Sequence, residues 1–289
     1  MKRLVVIGSG PAGISAALYA KRGGAAVTVI SKGIAASSLY RAEKIENYYG
    51  LADAVSGKEL LARGIAGAKN IGVEFMTAEV LAIDFSADFK SFIVATTAGN
   101  VAASAIVIAA GATRNKLLVP QAESFVGKGV SYCATCDAFF YRGKSVGVVG
   151  AGSYAEHELR ALLPLTKEVI LFTNGENIAF TPIENVRVVT EKISGLKGGE
   201  KLTGAELNSG EIVAVDGLFI ALGTAGSTEL ARKLGIMLDK NNIKTDSDMR
   251  TNVAGIFAAG DCTGGLLQVV KAAHEGAVAG MAAVKFLRG

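Results

Sequence analysis

Tryptophan is absent, and histidine, cysteine and proline are scarce: two, three and four residues in a chain of 289. Three cysteines cannot build a structural disulfide framework, so the fold must rest on a hydrophobic core. No apolar run reaches the ~18 residues of a membrane span before glycine or charge interrupts it. The N-terminal candidate, Leu4-Val5-Val6-Ile7 behind Met1-Lys2-Arg3, is cut off by Gly8-Ser9-Gly10-Pro11, too early for a signal peptide. Neither export nor a membrane partner is expected, and a reducing cytoplasm is the expected setting. The 30 basic and 26 acidic residues leave a net charge of +4 without a basic stripe interleaved with aromatics. That argues against a nucleic-acid partner and leaves a mildly basic surface suited to an acidic protein.

Glycine and small apolar residues are abundant instead, with 36 glycines and half of the chain apolar. At ~150 residues per domain, the length suits two domains. Residues 4–7 read as a buried strand running into Gly8-Ser9-Gly10-Pro11-Ala12-Gly13, followed by helical spacing from Ile14 and a second strand over residues 26–30. This is a βαβ opening whose small residues let a pyrophosphate approach the helix N-terminus. The pattern recurs: strand Val146-Gly147-Val148-Val149, turn Gly150-Ala151-Gly152-Ser153-Tyr154-Ala155, a helix from Glu156, and strand Val169-Ile170-Leu171-Phe172. Residues 105–112 and 255–261 read as further buried strands ending in tight turns, and a long Ala-rich helix follows from about Gln268. A final strand with no later sheet of its own returns most simply to the first domain. The expected fold is α/β, with two Rossmann-like dinucleotide-binding domains, the second (115–245) inserted into the first (1–114 and 246–289).

Cys133-Ala134-Thr135-Cys136-Asp137 carries the chemistry. Two residues between the sulfurs let a disulfide close without large strain, and a neighbouring sulfur lowers the pKa of the attacking thiol. The competing reading is half a zinc site, but no second Cys-x-x-Cys exists and both histidines are distant in sequence, so metal is not expected. Cys262, beside Asp261 at a strand end, reads as a small buried hydrophobe. His157, between Glu156 and Glu158, reads as solvated; His274, on the last helix, could pack near a cofactor. Lys197, Glu200 and Lys201 read as a solvated hairpin turned by Gly198-Gly199.

Taken together, Gly8 to Gly13, Ser131-Tyr132-Cys133-Ala134-Thr135-Cys136-Asp137-Ala138-Phe139-Phe140-Tyr141 and Gly255-Ile256-Phe257-Ala258-Ala259-Gly260-Asp261 resemble the low-molecular-weight thioredoxin reductases over nearly the whole length. The resemblance implies FAD in the outer domain, its pyrophosphate over Gly8, Ser9, Gly10, Pro11, Ala12 and Gly13, with Gly260 beside it and Asp261 on the ribityl chain. Gln268 and Val269 would set a positive helix end against the flavin ring. Asn47 matches a flavin-side position, Gly111 and Ala112 would pack beside the cofactor, and Val80 would lie near adenine. The resemblance further implies that Cys136 faces the flavin, Cys133 attacks the disulfide of a thioredoxin-like partner, Asp137 carries the proton, and the chain is a homodimer.

The family pattern breaks at one ligand. NADPH-dependent members place a His-Arg-Arg segment after the second domain's second strand; here that stretch reads Leu171-Phe172-Thr173-Asn174-Gly175-Glu176-Asn177. Each charged hydrogen bond is worth ~1.5–3 kcal/mol, so losing a pair weakens NADPH by roughly two to four orders of magnitude. The arginine-bearing helix is largely missing, the Gly-x-x-Pro-Asn loop reads Gly223-Thr224-Ala225-Gly226-Ser227, and the turn at Gly150 places bulky Tyr154 beside where a pyrophosphate would pass. Ser37-Ser38-Leu39 replaces the family's Gly-Gly-Gln-Leu at the flavin edge. The expected activity is disulfide reduction of thioredoxin fed by ferredoxin. The alternatives are an NAD(P)H-dependent reductase with an atypical pocket and a non-catalytic flavin redox sensor.

Overall fold

The computed structural model describes residues 2–111, 117–132, 134–223, 226–239 and 242–289, and for Thr135 and Cys136 the backbone alone. The chain folds as two compact α/β units, Met1–Thr113 with Gly226–Gly289, and Arg114–Ala225 between them.

The first unit opens with β1 (Arg3–Ile7), α1 (Pro11–Arg22), β2 (Ala26–Ser31), α2 (Gly57–Asn70) and β3 (Glu74–Thr77). Leu4, Val5 and Val6 are fully buried although successive side chains point to opposite faces, which requires a sheet covered on both sides. The antiparallel strands β4 (Val80–Phe85), β5 (Phe92–Thr96) and β6 (Gly99–Ala103) form a separate three-stranded meander. The chain then re-enters the main sheet as β7 (Ala105–Ile108), parallel to β1 with Ile7 opposite Ile108.

The inserted unit repeats the scheme with β8 (Val130–Ser131), the single turn α3 (Ala134–Asp137), β9 (Ser145–Val149), α4 (Ser153–Leu162), β10 (Glu168–Phe172) and β11 (Arg187–Val189). An antiparallel excursion, β12 (Ile193–Gly198), β13 (Leu202–Leu207) and β14 (Ile212–Ala214), leads to β15 (Gly217–Ile220). The parallel sheet runs in the order β11-β10-β9-β15-β8.

The return to the first unit comes earlier than the expected residue 246. Residues 226–245, comprising α5 (Ser227–Lys233), β16 (Leu238–Asp239) and β17 (Asn242–Ile243), belong to the first unit. Ser227 Oγ donates to the Gly111 carbonyl at 2.8 Å, and α5 packs on β4. β18 (Ile256–Ala258) then pairs with β7, giving the parallel order β18-β7-β1-β2-β3, and α6 (Val269–Arg288) closes the chain. Among the described residues no helix is long and apolar enough to cross a membrane.

Helix α6 lies directly on α1. A Cβ on Gly276 would stand 2.1 Å from the Ala12 carbonyl oxygen, and one on Gly280 2.4 Å from that of Ala16. Two glycines four apart thus meet two alanines four apart, backbone against backbone. Gly276→Val is expected to cost about 2–3 kcal/mol by overpacking, read as a lower denaturant midpoint at an unchanged slope.

Candidate functional site

The carboxyl ends of three neighbouring parallel strands gather the cofactor-side candidates. Ile7 pairs with Ile108, which pairs with Ala258, so the turns leaving β1, β7 and β18 emerge along one edge. That edge is where open α/β sheets receive ligands. It brings together Gly8 to Gly13, Gly111, and Gly260 with Asp261; Ala112 lies outside the described residues. Val80 is buried at the start of β4, after Glu79, whose carboxylate meets Lys32 Nζ at 3.4 Å.

The three glycines of the first turn serve different needs. Gly8 has φ +108°, and its Cβ would meet the Ala109 oxygen at 2.3 Å; a Cβ on Gly13 would meet the Gly8 oxygen at 1.9 Å. Both are demanded by the protein's own packing. Gly10 has an ordinary φ of −74°, and the nearest atom to its Cβ would be Ser37 Oγ at 3.7 Å. Its missing side chain leaves room for something outside the protein. Helix α1 begins there with Pro11, no side-chain cap and no acidic residue in its first turn. By contrast α2 is capped by Ser56, which accepts from the Glu59 N–H at 3.1 Å.

The turn after β18 is held from below by α6. Lys271 and Glu275, one helical turn apart, pair at 3.0 Å with only 16 % and 13 % of their side chains exposed. Glu275 Oε2 accepts from the Gly260 N–H at 2.8 Å, and Lys271 Nζ donates to the Gly260 carbonyl at 2.9 Å, to Thr263 Oγ1 at 2.8 Å and to the Gly264 carbonyl. This pair is not legible in the sequence, because its partners are backbone groups of a separate loop. Among the described residues Asp261 has no protein hydrogen-bond partner for its carboxylate. Helix α6 starts at Gln268 without a side-chain cap or first-turn acid, and Gln268 Oε1 accepts from Asn47 Nδ2 at 3.1 Å. Two flavin-side candidates 221 positions apart thus meet. His274 is exposed and, with Pro11 and Val269, lines a cavity of about 440 Å³.

In the inserted unit the second glycine turn is bordered by the segment that follows β10. Residues 173–186 contain no helix; they fold back so that the Ala179 N–H donates to the Ala151 carbonyl at 2.8 Å. Helix α4 also carries Glu156 in its first turn, where a carboxylate offsets the helix dipole; it pairs with Arg160 at 2.7 Å. Tyr154, expected beside a pyrophosphate, is buried, its hydroxyl donating to the Tyr132 carbonyl at 3.2 Å. His157 is half-buried rather than solvated, and its neighbour Glu158 is 1 % exposed, accepting from the Ala134 N–H at 2.6 Å.

Those bonds meet the cysteine segment. Cys133 lies outside the described residues, and of Cys136 only the backbone, in α3, is described. Asp137 accepts from the Ser131 hydroxyl at 2.6 Å. The Tyr141 hydroxyl is pushed above its ordinary value, first by burial and then by the charges of Asp137 and Asp216. Phe139 and Phe140 stand 69 % exposed beside this motif.

Comparison with known proteins agrees with this geometry. The family model described as "pyridine nucleotide-disulphide oxidoreductase" matches residues 2–277. A thioredoxin reductase of Listeria monocytogenes is 34% identical, the match spanning 98% of this chain and 93% of that one. The chain belongs to the thioredoxin reductase family. Among solved structures, an atypical thioredoxin reductase from Desulfovibrio vulgaris Hildenborough is 37% identical with a TM-score of 0.93, covering 100% of this chain and 98% of that one. A ferredoxin-flavin thioredoxin reductase from Clostridium acetobutylicum is 32% identical with a TM-score of 0.74, covering 100% and 99%. As a thioredoxin reductase the chain is an oxidoreductase of an FAD-dependent family.

The first unit fits that cofactor. The open space at Gly10, the acid-free N-terminus of α1 and the unpartnered Asp261 suit a diphosphate and a polyol on one sheet edge. Gly10→Val is expected to yield protein that folds, by circular dichroism, but lacks flavin absorbance, whereas Gly13→Val should fail to fold.

Cys262 is a buried free thiol whose Sγ lies 3.3 Å from the Ala259 carbonyl and 3.4 Å from that of Ile108. Burial pushes it from 9.0 up to about 12. The unfolded chain therefore releases this proton while the native state retains it. Its contribution to stability is complete below pH 9 and lost as pH rises to about 12. Over that window the denaturant midpoint should fall less steeply in Cys262→Ala than in the wild type.

Proposed function

We propose that this chain is an FAD-dependent disulfide reductase that reduces a thioredoxin-like protein through Cys133 and Cys136, with ferredoxin rather than NADPH as electron donor. The observation that carries the donor is the acid at the second glycine turn: Glu156 stands in the first turn of α4, where α1 has none. Residues 173–186, which follow β10, contain no lysine or arginine and so offer no clamp for a 2′-phosphate. A one-electron protein carrier needs no nucleotide cradle, and an acidic one suits the net charge of +4. The Clostridium acetobutylicum relative, named a ferredoxin-flavin thioredoxin reductase, supports the same reading.

FAD, when bound, would supply the step between a one-electron donor and two-electron disulfide chemistry. The chain's own residues do the rest. Gly8, Ser9, Gly10, Pro11, Ala12 and Gly13 would hold the diphosphate, and Asp261 with Gly260 the polyol. Gln268 and Val269 would present the N-terminus of α6 to the ring, with Asn47 bracing Gln268 and with Val80 and Gly111 alongside. Cys133 would attack the partner disulfide and Cys136 resolve it, while Asp137, oriented by Ser131, takes or returns the proton. Exposed Phe139 and Phe140 offer an apolar contact beside the motif. A plant-type ferredoxin near −400 mV and thioredoxin near −270 mV leave about 130 mV, roughly 6 kcal/mol for two electrons. Family likeness extends the reading to a homodimer working in the cytoplasm.

Anaerobic reduction of the purified holoprotein by reduced ferredoxin and by NADPH, in parallel, tests it. Ferredoxin should bleach the flavin rapidly, more slowly as ionic strength rises, and the bleached protein should then reduce thioredoxin disulfide. NADPH and NADH should remain slow even at millimolar concentration. Rapid, saturable bleaching by micromolar NADPH would restore an ordinary nicotinamide-dependent reductase.

A further inference from the structure

Helix α4 bonds to the backbone on both sides of position 133, and we propose that Tyr154 and Glu158 form a clamp that positions the first cysteine of the redox pair. Tyr154 and Glu158 are four residues apart, one turn along the same face. The Tyr154 hydroxyl donates to the Tyr132 carbonyl at 3.2 Å, and Glu158 Oε2 accepts from the Ala134 N–H at 2.6 Å. The first of these backbone groups belongs to the peptide bond that enters residue 133, the second to the bond that leaves it.

All four residues are sealed from water: Tyr132, Ala134, Tyr154 and Glu158 are 5 %, 0 %, 2 % and 1 % exposed. A carboxylate is rarely buried to this degree unless hydrogen bonds hold it, and bonds to a charged acceptor are the strong ones. Through these bonds both side chains act on the backbone, as positioning residues. Restraining the peptide groups around the first cysteine lowers the freedom lost when the ring to Cys136 closes, which raises the effective concentration of the two thiols. Tyr154, in the second glycine turn, thus has a task, and helix α4 serves the disulfide segment.

The proposal rests on the reading that Cys133 and Cys136 are the redox pair. In the test, purified holoprotein with wild-type sequence, Glu158→Ala, Glu158→Gln or Tyr154→Phe is equilibrated with glutathione. The protein disulfide and two glutathione thiols exchange with the protein dithiol and one glutathione disulfide, so the equilibrium constant gives the effective concentration directly. Thioredoxin reduction is measured on the same samples. Glu158→Ala should lower the effective concentration and kcat about tenfold with KM for thioredoxin little changed, and Tyr154→Phe about threefold. Glu158→Gln, which keeps an acceptor oxygen, should recover most of the loss. The Glu158→Ala/Tyr154→Phe double variant should fall short of the product of the single effects, because both bonds restrain one residue. Tyr154→Phe preserves volume, so it reports even if the alanine variant folds poorly. Wild-type values in both Glu158→Ala and Tyr154→Phe, or a Glu158→Gln as impaired as Glu158→Ala, would overturn the clamp. A wild-type protein whose cysteines exchange with glutathione as expected but which does not reduce thioredoxin would overturn the function and leave the clamp standing.

Discussion

The backbone contact between α1 and α6 is the constraint on which the first unit depends. Ala12 and Ala16 admit Gly276 and Gly280 so closely that no larger residue fits between them. With α6 fixed there, Lys271 and Glu275 project onto the turn after β18, while the start of α1 stays pressed on the sheet through Gly13 and Gly8. The two turns that face the sheet's carboxyl edge are therefore located by one helix pair. A cofactor spanning both turns would report on that packing.

The two glycine turns have the same strand-turn-helix form and differ in one charge. At α1 the first turn has neither a cap nor an acid, so its N–H groups and positive dipole end are left for an anion. At α4 Glu156 lies in the first turn and the Ala179 N–H covers the Ala151 carbonyl. Fold similarity alone would treat the two turns alike; the acid in the first turn of α4 distinguishes them.

Much of the fold was legible because its signals are local. Buried parallel strands such as residues 4–7 read as unbroken apolar runs, and Gly8 to Gly13 marks its turn with residues whose absence of side chain is required within a few positions. The insertion's end was not legible. Residues 226–245 join the first unit through Ser227 and the packing of α5 on β4, and neither interaction marks the sequence near residue 246. Glu158 illustrates a different limit. A Glu-His-Glu run on an amphipathic helix reads as a solvated face, yet Glu158 is buried because a backbone N–H 24 positions earlier needs an acceptor. Periodicity ranks faces by polarity and carries no record of an unpaired amide elsewhere.

Both units hold a functional loop in the same way, by two side chains one helical turn apart bonded to loop backbone: Lys271 and Glu275 to Gly260 and Gly264, Tyr154 and Glu158 to Tyr132 and Ala134. Bonds to peptide groups do not depend on which side chains the loop carries. The loop's side chains are then free to be chosen for chemistry, as at Asp261 or in the cysteine segment, while its path is set from the helix. The cost of burying an ionic group is offset only if each charged atom finds partners, and peptide groups at a loop are the partners that a folded chain always has to satisfy. A buried carboxylate under a tight loop is, on this account, the loop's anchor before it is anything else.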